Sequence, residues 1–278
     1  MAKTEIEWTD KVWNVVRGCR RVSPGCEHCY AERQARRFSG KDQPYEGLTV
    51  LTKGGIRWTG EARQVPSKLR EPLTWKKPQR IFVNSMSDLF HKDIHHEFIH
   101  EVLEIIEQAK QHTFQILTKR PENLLKFLAH TGNHIDTLQK LDNCWFGVSV
   151  ENQAVADERI PLLLQVPARN LFLSCEPLLE QIDISRYLAI STPINNIMGH
   201  YIYDSKIGWA IAGCESGHGK RPMDINWVGY LKNQCVAANV PFFFKQAIDE
   251  NGDKVSLPEL DGEQWAQFPK PLLAGMED

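Results

Sequence analysis

Short apolar or β-branched runs recur along the chain, each followed by a polar turn and then by a stretch in which Leu, Ile, Val and Phe return every three or four residues. The runs predict strands at 12–16, 80–84, 113–117, 144–148, 170–174, 208–212 and 241–244. The stretches between them predict helices at 27–38, 95–111, 121–130, 152–164 and 226–238. Near-continuous apolar strands joined by helical crossovers imply a parallel sheet covered by helices. The fold class is therefore α/β, a partial (β/α) barrel of about six or seven parallel strands, with a doubly wound open sheet as the alternative. Two segments, 40–77 and 183–206, break the rhythm and are long enough to be insertions that cover a site. One barrel domain is expected over 1–246, with a peripheral acidic extension over 247–278.

In such barrels the chemistry gathers at the C-terminal ends of the strands and in the loops that follow. Those loops are unusually polar here. Cys19, Cys26 and Cys29 follow the first strand, Asn84-Ser-Met-Ser-Asp88 the second, and Thr118-Lys-Arg120 the third. After the fourth come Glu151 and Asn152, after the fifth Cys175-Glu-Pro177, after the sixth Cys214 and Glu215, and after the seventh Lys245-Gln246. Three carboxylates, Glu151, Glu176 and Glu215, thus end three successive strands. Any one of them alone reads equally well as a helix-cap partner or a salt bridge.

Composition narrows the classes. The 278 residues, 42% of them hydrophobic, can bury one large core, and no apolar run approaches the ~20 residues that cross a bilayer. No membrane association is expected. Seven cysteines, an odd number, with no charged n-region and apolar h-region at the start, fit a reducing cytoplasm. The net charge of −2 gives no general attraction to nucleic acid, so such a partner would need a local patch. Residues 53–80 offer one: Lys53, Arg57, Arg63, Lys68, Arg70, Lys76, Lys77 and Arg80 stand against Glu61 and Glu71, with Trp58 and Trp75 interleaved. Bases could stack on the tryptophans there.

The cysteines carry the most specific signal. They lie in Gly-Cys-Arg-Arg-Val-Ser-Pro-Gly-Cys-Glu-His-Cys-Tyr, and the next cysteine is Cys144. Structural zinc and ordinary electron-transfer clusters close their coordination with four protein ligands, whereas three leave a position open for a substrate or cofactor. A zinc knuckle completed by His28 is the structural alternative. His96-Glu-Phe-Ile-His100 matches the zinc-protease pattern, but it opens a helix expected on the outside of the barrel with no third ligand nearby, and a solvated face explains it better. Cys175 and Cys214 read either as thiols able to donate a hydrogen atom or, more simply, as small buried hydrophobes.

Three close cysteines after the first strand of a βα barrel resemble the cluster loop of radical S-adenosylmethionine enzymes, although the spacing here is Cys-x6-Cys-x2-Cys rather than the usual Cys-x3-Cys-x2-Cys. The chain as a whole is similar to a narrower group, the phage-encoded three-cysteine family regarded as a domain of unknown function. The similarity is carried by Trp13-Asn14, Ser23-Pro-Gly-Cys26, Cys29-Tyr-Ala-Glu32, Phe82-Val-Asn-Ser-Met-Ser-Asp-Leu-Phe90, Leu117-Thr-Lys-Arg-Pro121, Gly147-Val-Ser-Val-Glu-Asn152, Glu176-Pro-Leu-Leu179, Glu215-Ser-Gly217 and Pro241-Phe-Phe-Phe-Lys-Gln246. Cys175 and Cys214 depart from it, standing where an aliphatic residue and Gly are expected.

The resemblance implies a radical-SAM-like barrel in which Cys19, Cys26 and Cys29 ligate three irons of a [4Fe-4S] cluster and the fourth iron binds S-adenosyl-L-methionine. Reductive cleavage of that cofactor would give a 5′-deoxyadenosyl radical. Asn84, Ser85, Ser87 and Asp88 would contact the cofactor, chiefly its amino group, with Glu151 and Asn152 at the ribose and Lys119 or Arg120 at the methionyl carboxylate. Glu176, Glu215, Lys245 and Cys214 would face the substrate. That substrate is a small molecule or nucleotide, with a nucleobase or modified DNA as the expected class, contacted through the basic insertion 53–80. Electrons would come from a donor such as flavodoxin or ferredoxin. The competing class is a non-catalytic nucleic-acid- or partner-binding module with a structural metal site.

Overall fold

The computed structural model describes residues 4–131, 138–188 and 206–270. Its strands are β1 (Lys11–Trp13), β2 (Val16–Arg17), β3 (Thr49–Thr52), β4 (Gly55–Trp58), β5 (Arg63–Gln64), β6 (Arg80–Val83), β7 (Thr113–Thr118), β8 (Cys144–Ser149), β9 (Asn170–Cys175), β10 (Ile207–Gly213), β11 (Phe242–Ile248) and β12 (Lys254–Ser256). The helices are α1 (Tyr30–Arg36), α2 (His96–Gln108), α3 (Pro121–Thr131), α4 (Gln153–Leu163), α5 (Ser185–Leu188) and α6 (Ile225–Ala237). One 8-stranded sheet runs in the order β1-β6-β7-β8-β9-β10-β11-β12. Every pairing from β1 to β11 is parallel, and only β12 turns back antiparallel on β11. The sheet curls into a half barrel.

Period-two alternation explains why the strands read as nearly unbroken apolar runs. Phe82, Phe172, Trp209, Ile211 and Phe243 point into the concave face, where they pack with Trp8 and Trp145. Their neighbours Ile81, Val83, Leu171, Leu173, Ala210, Ala212, Phe242 and Phe244 point outward, under the helices. Both faces are buried, so the strand interiors are almost wholly apolar, and one exception, Gln115 in β7, donates to the Trp8 carbonyl at 3.1 Å. Close approach matters at Gly147, where a β-carbon would come within 2.5 Å of the Phe172 ring. The helices cover the outer face through stripes such as Phe98, Ile99, Val102, Leu103 and Ile106 of α2.

The run at 12–16 is not one strand: it leaves the sheet after Trp13, and Val16 pairs instead with Gln64 of the insertion. Insertion 40–77 contains the β3–β4 hairpin, which packs on α1 around Leu48, Tyr45 and Trp58. Insertion 183–206 lies largely outside the described residues, apart from α5 and its neighbours. The described part of the C-terminal segment is built into the fold: the Trp209 indole donates to the Gln267 carbonyl at 2.9 Å, and Phe268 meets the Trp209 and Phe243 rings. Arg80, the first residue of β6, lies over Phe268, so this segment closes the N-terminal end of the half barrel and leaves the other end open. Among the described residues no helix is long and apolar enough to cross a membrane.

Candidate functional site

The open end holds a cavity of about 1230 Å³ lined from successive strand ends, by Asn84 after β6, Thr118 of β7, Ser149 of β8, Ser174 of β9, Cys214 after β10 and Lys245 of β11. Cys19, Cys26 and Cys29 line the same cavity. The loop that carries them starts at Gly18, whose φ of +84° and whose approach to the Glu61 carbonyl, 2.3 Å from where a β-carbon would sit, require glycine. It then makes a single 3-10 turn at Pro24–Cys26 and ends with Cys29 as the N-cap of α1.

Four sets of charged side chains hold this loop. Arg120 donates to the Arg20 carbonyl at 2.6 Å and to the Cys19 sulfur at 3.8 Å, and is itself held by Asp88 at 2.7 Å. Glu151, with no exposure to solvent, accepts from the Ser23 hydroxyl while paired with Lys119 at 2.7 Å and Arg159 at 3.1 Å. Arg221, gripped by Glu215, donates to the Pro24 carbonyl at 2.8 Å. Finally, buried Glu32 binds Arg21 and accepts from the Trp58 backbone at 3.0 Å. The turn lies so close on Glu151 that a β-carbon at Gly25 would fall 2.3 Å from its Cγ.

These contacts reassign several residues expected to bind the cofactor or substrate. Glu151 and Asn152 do not line the cavity. Glu151 is consumed by the ion network, and Asn152 caps α4 by accepting from Val155 N at 2.9 Å. Asp88 borders the cavity, but its two oxygens already accept from Thr118, Lys119 N, Phe90 N and Arg120. Its task is to aim Arg120. Glu215, likewise at the cavity wall, is saturated by the backbone and guanidinium of Arg221. Ser87 donates to the Val16 carbonyl at 2.9 Å and Ser85 to Asn14 at 3.3 Å, both tying the second loop to the first.

Other residues keep free capacity towards the cavity. Asn84, held with φ +62° directly after β6, uses its Oδ1 to accept from Val16 N, while its buried Nδ2 has no hydrogen-bond partner among the described residues. Gln246 donates to the Cys214 carbonyl at 2.7 Å and leaves its Oε1 unmatched in the same sense. Lys119 spends one of three donors on Glu151. Lys245 and Glu176 form an ion pair at 2.9 Å beside Cys214. Burial, reinforced by the Glu176 charge, pushes the Cys214 thiol up to about 11, so it holds its proton at neutral pH.

Cys19 and Cys29 are held protonated too in the absence of a metal. Burial pushes Cys19 up to about 12, more than Arg120 lowers it, and Cys26 and Cys29 add to the rise. Cys29 is raised by burial against the helix N-terminal amides of Ala31 and Glu32, which lower it. Cys19, which the charges of Cys26 and Cys29 raise further and which accepts from Arg120, suits a positively charged group that would draw off its proton. Among the described residues no group of three or more His, Cys, Asp or Glu side chains is set to hold a single metal ion. His28 lines the same cavity, with its carbonyl against Gly217 and its ring near Gly219. The three sulfur ligands of a cubane bind three separate irons and need no such single shell. His96 packs edge-on to Phe127 and His130, and His100 lies beside Glu104, which accounts for the protease-like motif on the outer surface.

Fold and site together define an α/β half-barrel protein with an open three-thiol loop at the C-terminal mouth of its sheet. The chain belongs to the family described as "Protein of unknown function (DUF5131)", whose model matches residues 3–269. No curated protein matches it in sequence. Among solved structures it bears a loose likeness to a cysteine-to-serine mutant of spore photoproduct lyase, at 12% identity and TM-score 0.40, covering 77% of this chain and 59% of that one. Another mutant of that lyase, with bound AdoMet and dinucleoside spore photoproduct, matches at 13% identity and TM-score 0.40, over 80% of this chain and 60% of that one. The chain thus spans about three fifths of the length of these structures.

Proposed function

We propose that this protein is a radical S-adenosylmethionine enzyme whose [4Fe-4S] cluster is ligated by Cys19, Cys26 and Cys29 and whose substrate is a nucleobase, a nucleotide or modified DNA. The observation that carries the reading is that three thiols share a cavity at the C-terminal mouth of a parallel half barrel. When bound, the cluster supplies one electron for the reductive cleavage of S-adenosylmethionine. Arg120 donates towards the Cys19 sulfur. Lys119 suits the cofactor's carboxylate, because it has donors left over at the cavity wall.

On the opposite side, the Cys214 S–H stays protonated and carries a hydrogen atom that a substrate radical can take. The Lys245–Glu176 pair and Gln246 Oε1 supply a donor and an acceptor for the substrate. The cavity exceeds the ~300–1,000 Å³ of an ordinary ligand pocket, which leaves room for cofactor and substrate together. Anaerobic reconstitution tests the assignment. About four irons and four sulfides per chain, an absorbance band bleached by dithionite, and 5′-deoxyadenosine formed from S-adenosylmethionine are expected. Tightly bound zinc with no 5′-deoxyadenosine would return the protein to the class of binding modules.

A further inference from the structure

The basic insertion is the obvious place to look for nucleic-acid contacts, yet half of its eight basic residues are already paired. Arg57 is paired with Glu32, Arg63 with Glu61, Lys68 with Glu71 and Arg80 with Asp10, and none of its basic residues lines the cavity. A different surface does. Arg33, Arg36 and Arg37, at the exposed side of α1 and its C-cap, reach the cavity rim together with Arg20 of the cysteine loop. Ala31 and Ala35 face the opposite way, into the hairpin, so the helix sits low and presents its arginines outward.

Among the described residues Arg33, Arg36 and Arg37 take part in no ion pair, although Arg21 and Arg57 close by are paired with Glu32. Like charges three and four residues apart destabilise a helix by ~0.2–0.5 kcal/mol per pair, a cost that the C-terminal end of the α1 dipole offsets in part. Of the acids along the cavity wall, Asp88 is neutralised by Arg120, Glu176 by Lys245 and Glu215 by Arg221, which leaves Glu5 against the arginines. In a protein of net charge −2, this concentrates positive potential at the one opening that leads to the thiols. Phe38, immediately after these arginines, is 47% exposed and offers a stacking face.

We propose that α1 and its C-cap form a phosphate track, Arg33, Arg36 and Arg37 with Phe38, that guides single-stranded DNA across the mouth so that one unstacked base enters the cavity. The proposal deepens the nucleic-acid branch of the reading above. A single strand is favoured because a base must leave its stack to reach chemistry at the bottom of a cavity.

Binding of fluorescein-labelled dT12 to the full chain, followed by anisotropy at several salt concentrations, tests it without any turnover. The triple variant Arg33→Gln, Arg36→Gln, Arg37→Gln, which keeps good helix formers, should bind at least tenfold more weakly at low salt. Its log K against log salt slope should flatten by about 2, at roughly 0.7 per phosphate contact. Lys76→Ala with Lys77→Ala, in the insertion, should match the wild type. Should the triple variant melt early, Arg37→Gln alone, beyond the last helical turn, should still flatten the slope by about 0.7. An unchanged slope in these variants, or no wild-type binding at low salt, overturns the track. Tighter binding of rU12 than dT12 overturns the DNA assignment. If the triple variant binds dT12 normally but is reduced more slowly by flavodoxin, the face belongs to the electron donor and the proposal fails. Because 5′-deoxyadenosine formation is read separately, loss of DNA binding and loss of radical chemistry remain distinguishable.

Discussion

Replacing Glu151 by Gln keeps the volume of the side chain and removes the charge around which the cysteine loop is docked. In the wild type that carboxylate is fully buried and pairs with Lys119 at 2.7 Å and Arg159 at 3.1 Å. Lys119, 21% exposed at its side chain, can turn to water when the partner is lost, whereas Arg159, 5% exposed, is left with the Ser149 carbonyl at 2.9 Å. Breaking a buried pair by removing one partner costs about 3–5 kcal/mol, and the escape of Lys119 argues for the lower end. In a chain of this length ~3 kcal/mol lowers Tm by roughly 6–12 °C. Ser23→Ala removes only the hydroxyl on the loop side and should cost about 1.5 kcal/mol, the low end for a hydrogen bond to a charged group.

The pH dependence separates charge from shape. Burial alone would raise the Glu151 pKa, but Lys119 and Arg159 outweigh it and hold the carboxyl below its ordinary value of 4.5. A folded pKa that is depressed contributes stability that is whole above the unfolded value and disappears as pH falls through the folded one. Thermal and urea melts of wild type and Glu151→Gln should therefore differ most near neutral pH and converge below about pH 4. Adding Arg159→Met to Glu151→Gln should recover at least half the loss, since no buried charge then lacks a partner. Melting curves that coincide at pH 7 within about 0.5 kcal/mol would refute the reasoning, because the network would then be worth no more than an exposed pair.

Other substitutions probe the site by different routes. Single changes of Cys19, Cys26 or Cys29 to Ala should abolish iron binding and 5′-deoxyadenosine formation while circular dichroism and Tm stay near wild type, because the βα core and not the metal buries the apolar surface. Gly217→Ala places a β-carbon 1.9 Å from the His28 carbonyl, so it should displace the Cys26–Cys29 segment and cost about 1–3 kcal/mol, with reduced iron content after reconstitution. Arg120→Lys keeps a charge for Asp88 but loses the fork that spans the Arg20 carbonyl and Cys19. Faster iron loss to a chelator is expected, with little change in Tm. His96→Ala should leave cofactor cleavage intact and cost about 0.5–1.5 kcal/mol from its ring contacts with Phe127 and His130, measured by urea melts.

Much of this protein is written locally. Strands such as 113–117 and 170–174 and helices such as 121–130 are legible because periodicity and strand length are properties of neighbouring residues, and the structure shifts their ends by only a residue or two. The same logic places Cys19, Asn84, Thr118 and Lys245 at one mouth, since parallel strands all end on the same side. The run at 12–16 shows the limit. Its apolar pattern continues, but Asn84, 68 residues away, captures Val16 N and draws the chain out of the sheet.

The roles of the strand-end carboxylates were likewise beyond local reading. A Glu after a strand looks the same whether it meets a ligand or a loop. Glu151 and Ser23 are 128 residues apart, and Arg221 and the Pro24 carbonyl 197 apart, so their meeting depends on how the sheet curls and on which loops then fall within hydrogen-bond reach. Sequence thus determined the elements, their order and the thiol-bearing mouth. Tertiary structure alone decided which charges are consumed in holding the loop and which remain free to act, because an ion pair is fixed by distance in space and by exclusion of water, neither of which a linear chain specifies.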